Sequence, residues 1–198
     1  MNGKTVNIKA VIIAVVILVV LGVAIRFGVG FAGSKQITDE SKWATMDEPR
    51  FSITVPESMN EGKMLSLSLG EVEVLKFCTS TYAGFDVSVH DYTDEEKETF
   101  GLLDTKAYAD TANLQKPNVG GIEYDFEVRE GKNYLYVEYP VTRANYVSSS
   151  DKIWFIEAMF PMQDGYYSVN VYCARDKKDE MRDYLFKWLD SFTPKEQV

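Results

Sequence analysis

Histidine is the side chain best suited to proton transfer and metal ligation near neutral pH, and this 198-residue sequence has one, His90. It stands beside Asp91 and shortly before Asp94, Glu95 and Glu96. Hard cations gather several carboxylate oxygens, so His90, Asp91 and Asp94 are the candidates for a divalent-ion site or a base-and-acid pair. Two features oppose that chemistry. Thr93 followed by Glu96 is a capping-box pattern, in which acids meet the positive end of a helix dipole, and the Asp-x-Asp-x-Asp-Gly spacing of a calcium loop is absent. Period-two alternation places His90 with Asp86 and Ser88, opposite Phe85, Val87 and Val89, and so predicts an exposed or rim histidine on the more polar strand face. A single histidine also excludes sites built on two, the helical H-E-x-x-H among them.

The nucleophile candidates are equally sparse. Cys78 and Cys173 share strand faces with valines, Val72 and Val74 in one case, Val169 and Val171 in the other, so both thiols are expected to point into a core. In an oxidising compartment they form a disulfide if their strands are neighbours; otherwise they are buried free thiols, since a domain of this size needs no staple. Ser148, Ser149 and Ser150 lie next to Asp151 in a polar loop, and no Gly-x-Ser-x-Gly elbow occurs. Gly120-Gly121 lacks the surroundings of a phosphate cradle. No enzyme activity and no cofactor is expected. The tyrosines offer a different chemistry, that of recognition. Tyr134 and Tyr136 share a face with Glu138, and Tyr166 and Tyr172 flank Ser168 and Asn170. Either these four form a tyrosine-rich polar face for a partner, or helices cover that face and make them a second core.

These residues must be positioned by a sheet. Residues 51–55 alternate apolar and polar and stop at Pro56, and similar alternation at 64–69, 72–79 and 85–91 predicts further strands. A short helix begins at Thr93 and ends at Gly101, and Asp104 can cap a second over residues 105–114. Pro117, Asn118, Gly120 and Gly121 predict a loop. A hairpin follows, residues 122–129 and 133–141 turning at 130–132, then two strands at 153–160 and 166–174 turning at 163–165. Met181, Tyr184, Leu185, Trp188, Leu189 and Phe192 follow helical spacing, which demands a sheet beneath them; Asp176 is placed to cap that helix and Pro194 to stop it. The predicted class is α+β, a mostly antiparallel sheet with helices packed on its faces.

The N-terminus reads differently. Residues 10–25 are all apolar and the run resumes after Arg26 to residue 32. About 23 residues at 1.5 Å each span roughly 34 Å, enough for a hydrocarbon core of about 30 Å. Off-centre, Arg26 can carry its guanidinium to the headgroups. The competing reading is a cleaved signal peptide ending at Gly30-Phe31-Ala32, but residues 11–20 are longer and stiffer than that requires. The expected organisation is a cytoplasmic tail at 1–9, a transmembrane helix at 10–32, a polar stalk at 33–48 and an extracytoplasmic domain at 49–194. Lys4 and Lys9 set the N-terminus inside. No Asn-x-Ser/Thr site occurs, which fits a bacterial envelope.

Charge separates the two parts. Residues 1–33 hold three bases and no acid, and the remainder holds 18 bases against 30 acids, a net of -12 that repels nucleic acid and anionic lipid. A Phe51-Ser52-Ile53-x-Val55-Pro56 opening, a middle helical region, an antiparallel meander and a closing helix ending in Ser191-Phe192 resemble the Mog1/PsbP-like α/β/α sandwich over residues 49–192. That resemblance implies non-catalytic roles, binding a partner protein or assisting an assembly, and supplies no catalytic signature for positions here. The expected function is a membrane-anchored interaction module with an envelope protein as partner. The alternative is a small-ligand or divalent-cation domain using a cleft beside His90.

Overall fold

Alternation along residues 83–91 puts Phe85, Val87 and Val89 on one side of a strand and Asp86, Ser88 and His90 on the other. In the computed structural model, which describes residues 35–62, 73–80, 82–101, 103–142 and 152–195, that strand lies inside a seven-stranded sheet. In chain order the strands are β1 (Trp43–Asp47), β2 (Phe51–Pro56), β3 (Asn60–Glu61), β4 (Glu73–Thr79), β5 (Ala83–Asp91), β6 (Asn118–Val119), β7 (Ile122–Glu123), β8 (Glu127–Val128), β9 (Leu135–Thr142), β10 (Lys152–Met162), β11 (Gly165–Ala174) and β12 (Thr193–Pro194). The helices are α1 (Asp94–Phe100), α2 (Thr105–Ala112) and α3 (Lys178–Ser191). The large sheet runs β3-β4-β5-β11-β10-β9-β8 with antiparallel pairing throughout, and β1-β2-β12 form a small second sheet. The class is α+β.

One face of the large sheet carries the main core. Phe85, Val87 and Val89 of β5, Tyr167, Val169 and Val171 of β11, and Ile156 and Ala158 of β10 join Phe51, Ile53 and Val55 of β2 and the apolar stripe of α3. Met181, Leu185, Trp188 and Leu189 are wholly buried, as their spacing requires. Each such side chain contributes about 1.5–3 kcal/mol through burial, so α3 holds the layers together. Phe186, outside the expected stripe, is also buried, edge-on to Tyr136 at 4.9 Å with the Arg129 and Arg182 guanidinia on its ring. Asp176 does not cap this helix. A 3-10 turn at Arg175–Lys177 moves the start past it, and Asp179 and Glu180 occupy the first turn instead. Past Phe192 the chain turns extended, and Thr193–Pro194 pair with β2.

α1 and α2 cover part of the opposite face. Thr93 and Glu96 close the expected capping box, Gly101 is the C-cap of α1, and Asp104 accepts from the Ala107 amide at 2.8 Å to start α2. Tyr108 and Ala109 then bury against Tyr92, Phe126, Leu135 and Val137.

Three expectations change. The supposed stalk at 33–48 is folded from residue 35 onward: residues 35–38 are helical, Ile37 is buried, and β1 pairs with β2 along its whole length while Trp43 stands edge-on to Trp188 at 6.1 Å. The loop at 117–121 contains a hairpin, β6 with β7. The long strand expected at 122–129 is consequently divided between β7 and β8. The expected strand at 64–69, the serines at 148–150, the tail at 1–9 and the segment at 10–32 lie outside the described residues. Within the described residues no helix is long and apolar enough to cross a membrane.

Candidate binding surfaces

His90 is only 7% exposed, not a rim residue, because α1 folds back over the end of β5. Its Nε2 lies 3.1 Å from Glu96 Oε1, and its ring packs 5.2 Å from Tyr166 and 5.9 Å from Tyr92. The Thr93 backbone amide, then the His90 ring, then the Thr93 hydroxyl hold the Glu96 carboxyl below its ordinary value. That carboxylate only accepts, so Nε2 donates to it. Nδ1 is buried without a partner among the described residues. Asp91, the next residue, emerges on the other side and accepts from Arg50 at 2.7 Å, and Asp94 is exposed in the first turn of α1. His90, Asp91 and Asp94 therefore do not converge, and among the described residues no three His, Cys, Asp or Glu side chains are placed to hold a metal ion.

Cys78 and Cys173 are free and buried. β5 lies between their strands, with Cys78 paired to Phe85 and Cys173 to Ala83. Two strand spacings separate them by about 9–10 Å, beyond the reach of a disulfide. Burial pushes both thiols up, Cys173 to about 12, so neither is a nucleophile near neutral pH.

The four tyrosines do not make one surface. Tyr134 is buried under α3, stacked on Phe160 at 4.6 Å and donating to Asp190 at 2.7 Å, and Tyr136 lies beside Phe186 with its hydroxyl on Glu127 at 3.0 Å. Tyr166 belongs to the other face, in the second core, and Tyr172 lies on that same face with its ring over Gly84.

Two features escaped the sequence reading. The first is the stretch from residue 113 to 128. Gly120 and Gly121 both have positive φ, 64° and 85°, and form a two-residue loop between β6 and β7, a type I′ geometry that glycine accepts without strain. Asn113 ties the base by accepting from the Phe126 amide at 2.6 Å and donating to its carbonyl at 3.1 Å. Lys116 braces it through Asp125 at 2.8 Å and Glu123 at 3.2 Å. Leu114 is 82% exposed, Ile122 59% and Val128 41%; of the large hydrophobics exposed among the described residues only Val74 lies elsewhere. Exposed Glu123, Asp125, Glu127 and Glu130 surround them. The Gly-Gly pair between β-prone residues was the available signal.

The second is a polar stripe on the face opposite α3. Register aligns His90 with Tyr166, Ser88 with Ser168, Asp86 with Asn170, and Asn170 with Glu157. Asn170 Nδ2 donates to Asp86 at 2.8 Å, leaving Asn170 Oδ1 buried without a donor among the described residues. Burial pushes the Glu157 carboxyl above its ordinary range, against a hydrogen bond from the Tyr139 hydroxyl at 2.9 Å. Elsewhere a shallow cleft of 590 Å³ runs along Leu103, Asp104, Thr105, Lys106, Lys132 and Asn133, a mixed lining that holds neither His nor Cys.

No family model matches the sequence, and no curated protein matches it. Among solved structures, cyanobacterial PsbP (CyanoP) from Synechocystis sp. PCC 6803 is similar over 78% of this chain and 93% of that one, with TM-score 0.52 and 13% identity. Identity that low shows a shared fold and no more. The Ran-binding protein Mog1p of Saccharomyces cerevisiae aligns over 76% of this chain and 94% of its own at 8% identity, with a TM-score of 0.42, too low to add to that conclusion. The chain has the PsbP-like fold that its order of elements resembles.

Proposed function

We propose that this chain is a non-catalytic interaction module, held at a cell membrane by residues 10–32 with the folded domain outside, that docks its 113–128 segment onto an envelope protein. The observation that carries the reading is that exposed Leu114, Ile122 and Val128 all fall within residues 113–128, a stretch turned at two glycines and braced at Asn113 and Lys116. Single exposed hydrophobics need no explanation, but three within one short stretch of chain favour a partner surface. Because the braces at Asn113 and Lys116 order this segment before binding, docking sacrifices little conformational entropy. The surrounding carboxylates and the domain's net charge of -12 select a partner whose apolar socket has a basic rim. The Mog1/PsbP-like resemblance, with its non-catalytic protein-binding roles, supports the same reading.

In-cell crosslinking of the tagged full-length chain tests this against an anchor-only control. Enrichment of one envelope protein by the full chain is expected; identical captures contradict docking through the domain. Protease added to intact cells is expected to remove the domain, and complete protection contradicts the outward orientation.

A further inference from the structure

Three connections meet at one end of the sheet and border the 590 Å³ cleft. They are the link from α1 into the first turn of α2, the turn between β8 and β9, and the end of β10. These walls are tied to one another. The Thr105 hydroxyl donates to Asn133 Oδ1, joining α2 to the β8–β9 turn. Lys132 Nζ donates to the Asp190 carbonyl at 3.2 Å, which anchors the same turn to the end of α3. Gly101 lies so close to the β10–β11 turn that a Cβ there would stand 2.6 Å from the Gln163 carbonyl. Bracing of this kind sets the shape of the cleft before a ligand arrives.

The polar groups that these ties leave over are mostly donors. Asp104, the one carboxylate in the lining, is engaged at 2.8 Å by the Ala107 amide as the cap of α2. Asn133 takes the Thr105 proton on its oxygen, so what its side chain retains is the NH2 group. Lys132 keeps two ammonium protons beyond the one given to Asp190, and Lys106 makes no ion pair or hydrogen bond among the described residues. Two cations against one engaged carboxylate leave the cleft positive, within a domain of net charge -12, so the ligand charge it favours is negative. Leu103, Pro161 and Met162 line the same cleft half-buried, and Met162 packs on the main core. An apolar floor beside cations suits an anion carried on an apolar body, and the volume falls within the range of about 300–1,000 Å³ that small-molecule sites occupy.

We infer that this cleft binds a small organic acid, its anionic group held by Lys106, Lys132 and the Asn133 amide and its apolar body resting on Leu103, Pro161 and Met162. The site lies outside residues 113–128 and does not rest on the docking proposal. Both lysines are exposed, so salt screens their contacts and affinity falls as ionic strength rises.

Calorimetric titration of the full-length protein in a non-ionic detergent tests the site, with hydrocinnamate as probe, its neutral isostere hydrocinnamamide as control, and heats into protein-free micelles subtracted. Saturable binding of hydrocinnamate is expected, with the amide weaker by about tenfold or more because the charge-assisted bonds are lost. Lys106→Gln combined with Lys132→Gln should weaken hydrocinnamate about tenfold, and circular dichroism of that double variant shows that it folds. The Asn133 side-chain amide resonances should move as hydrocinnamate is added, which places the ligand in this cleft. Phenyl phosphate separates two sources of the anion: binding tighter than that of hydrocinnamate assigns the cleft to phosphate esters, and weaker binding assigns it to carboxylic acids. No saturable binding of either anion, equal affinity for hydrocinnamamide, unmoved Asn133 resonances, or undiminished affinity in the double variant would overturn the inference.

Discussion

Replacing Tyr134 with Phe removes one hydroxyl and leaves a ring that is already buried and stacked on Phe160. That hydroxyl donates to Asp190 Oδ1 at 2.7 Å, and Arg129 donates to the same carboxylate at 3.4 and 3.1 Å, so the C-terminal end of α3 is tied to the turn between β8 and β9. A hydrogen bond to a charged acceptor contributes about 1.5–3 kcal/mol; because Arg129 remains, the expected loss is at the lower end, about 1.5 kcal/mol. For a domain of this size that lowers the melting temperature by about 3–6 °C. Burial alone would raise the Asp190 carboxyl, but the bonds from Arg129 and Tyr134 outweigh it and hold the group below its ordinary 3.8. A carboxyl depressed in the folded state adds stability above its unfolded pKa, and that stability is lost as pH falls through the folded value. The Tyr134→Phe penalty is therefore full at pH 7 and shrinks below about pH 4. Circular dichroism melts of both proteins at about pH 7 and about pH 2.5 measure it. A penalty below about 0.5 kcal/mol at neutral pH, or one unchanged in acid, would refute the reasoning.

Burial should separate two leucines sharply. Leu185→Ala opens a cavity under α3 and should cost about 3 kcal/mol in urea unfolding, whereas Leu114→Ala, in the exposed 3-10 turn before β6, should stay within about 0.5 kcal/mol. Cys78 and Cys173 should resist a thiol reagent in the native protein, react together on denaturation, and leave the melting temperature indifferent to reductant. Glu157→Gln should stabilise the protein at neutral pH. A carboxyl raised by burial lends stability below its unfolded pKa and loses it as pH rises through the folded one, so the gain should vanish below about pH 4.

Local signals in the sequence were legible where short-range physics decides. The α3 stripe, the Thr93 and Asp104 caps and the turn before Gly165 all rest on neighbours within four residues, and each occurs where the spacing places it. β1 was missed because it joins a small sheet with little of its own surface buried, so its ordering comes from β2 and leaves a weak alternation. The cysteine pair could not be judged from spacing, since β5 reaches β11 only after two helices and five other strands intervene in the chain. Register likewise decided the tyrosines. Ala158 pairs with both Tyr136 and Val169, which puts Tyr136 on the α3 side and Tyr166, three residues from Val169, on the other. Alternation placed His90 on the polar face, but its burial depends on α1 returning over β5, which no pattern within the strand reports.

Docking through residues 113–128 is tested most directly by a photoreactive residue. With p-benzoylphenylalanine in place of Leu114 or Ile122 in the full-length chain, and in place of the exposed Asp179 on α3 as control, irradiated cells should yield one discrete protein adduct from positions 114 and 122 and none from the control. Adducts absent from both positions, or indistinguishable from those formed at Asp179, would contradict the account.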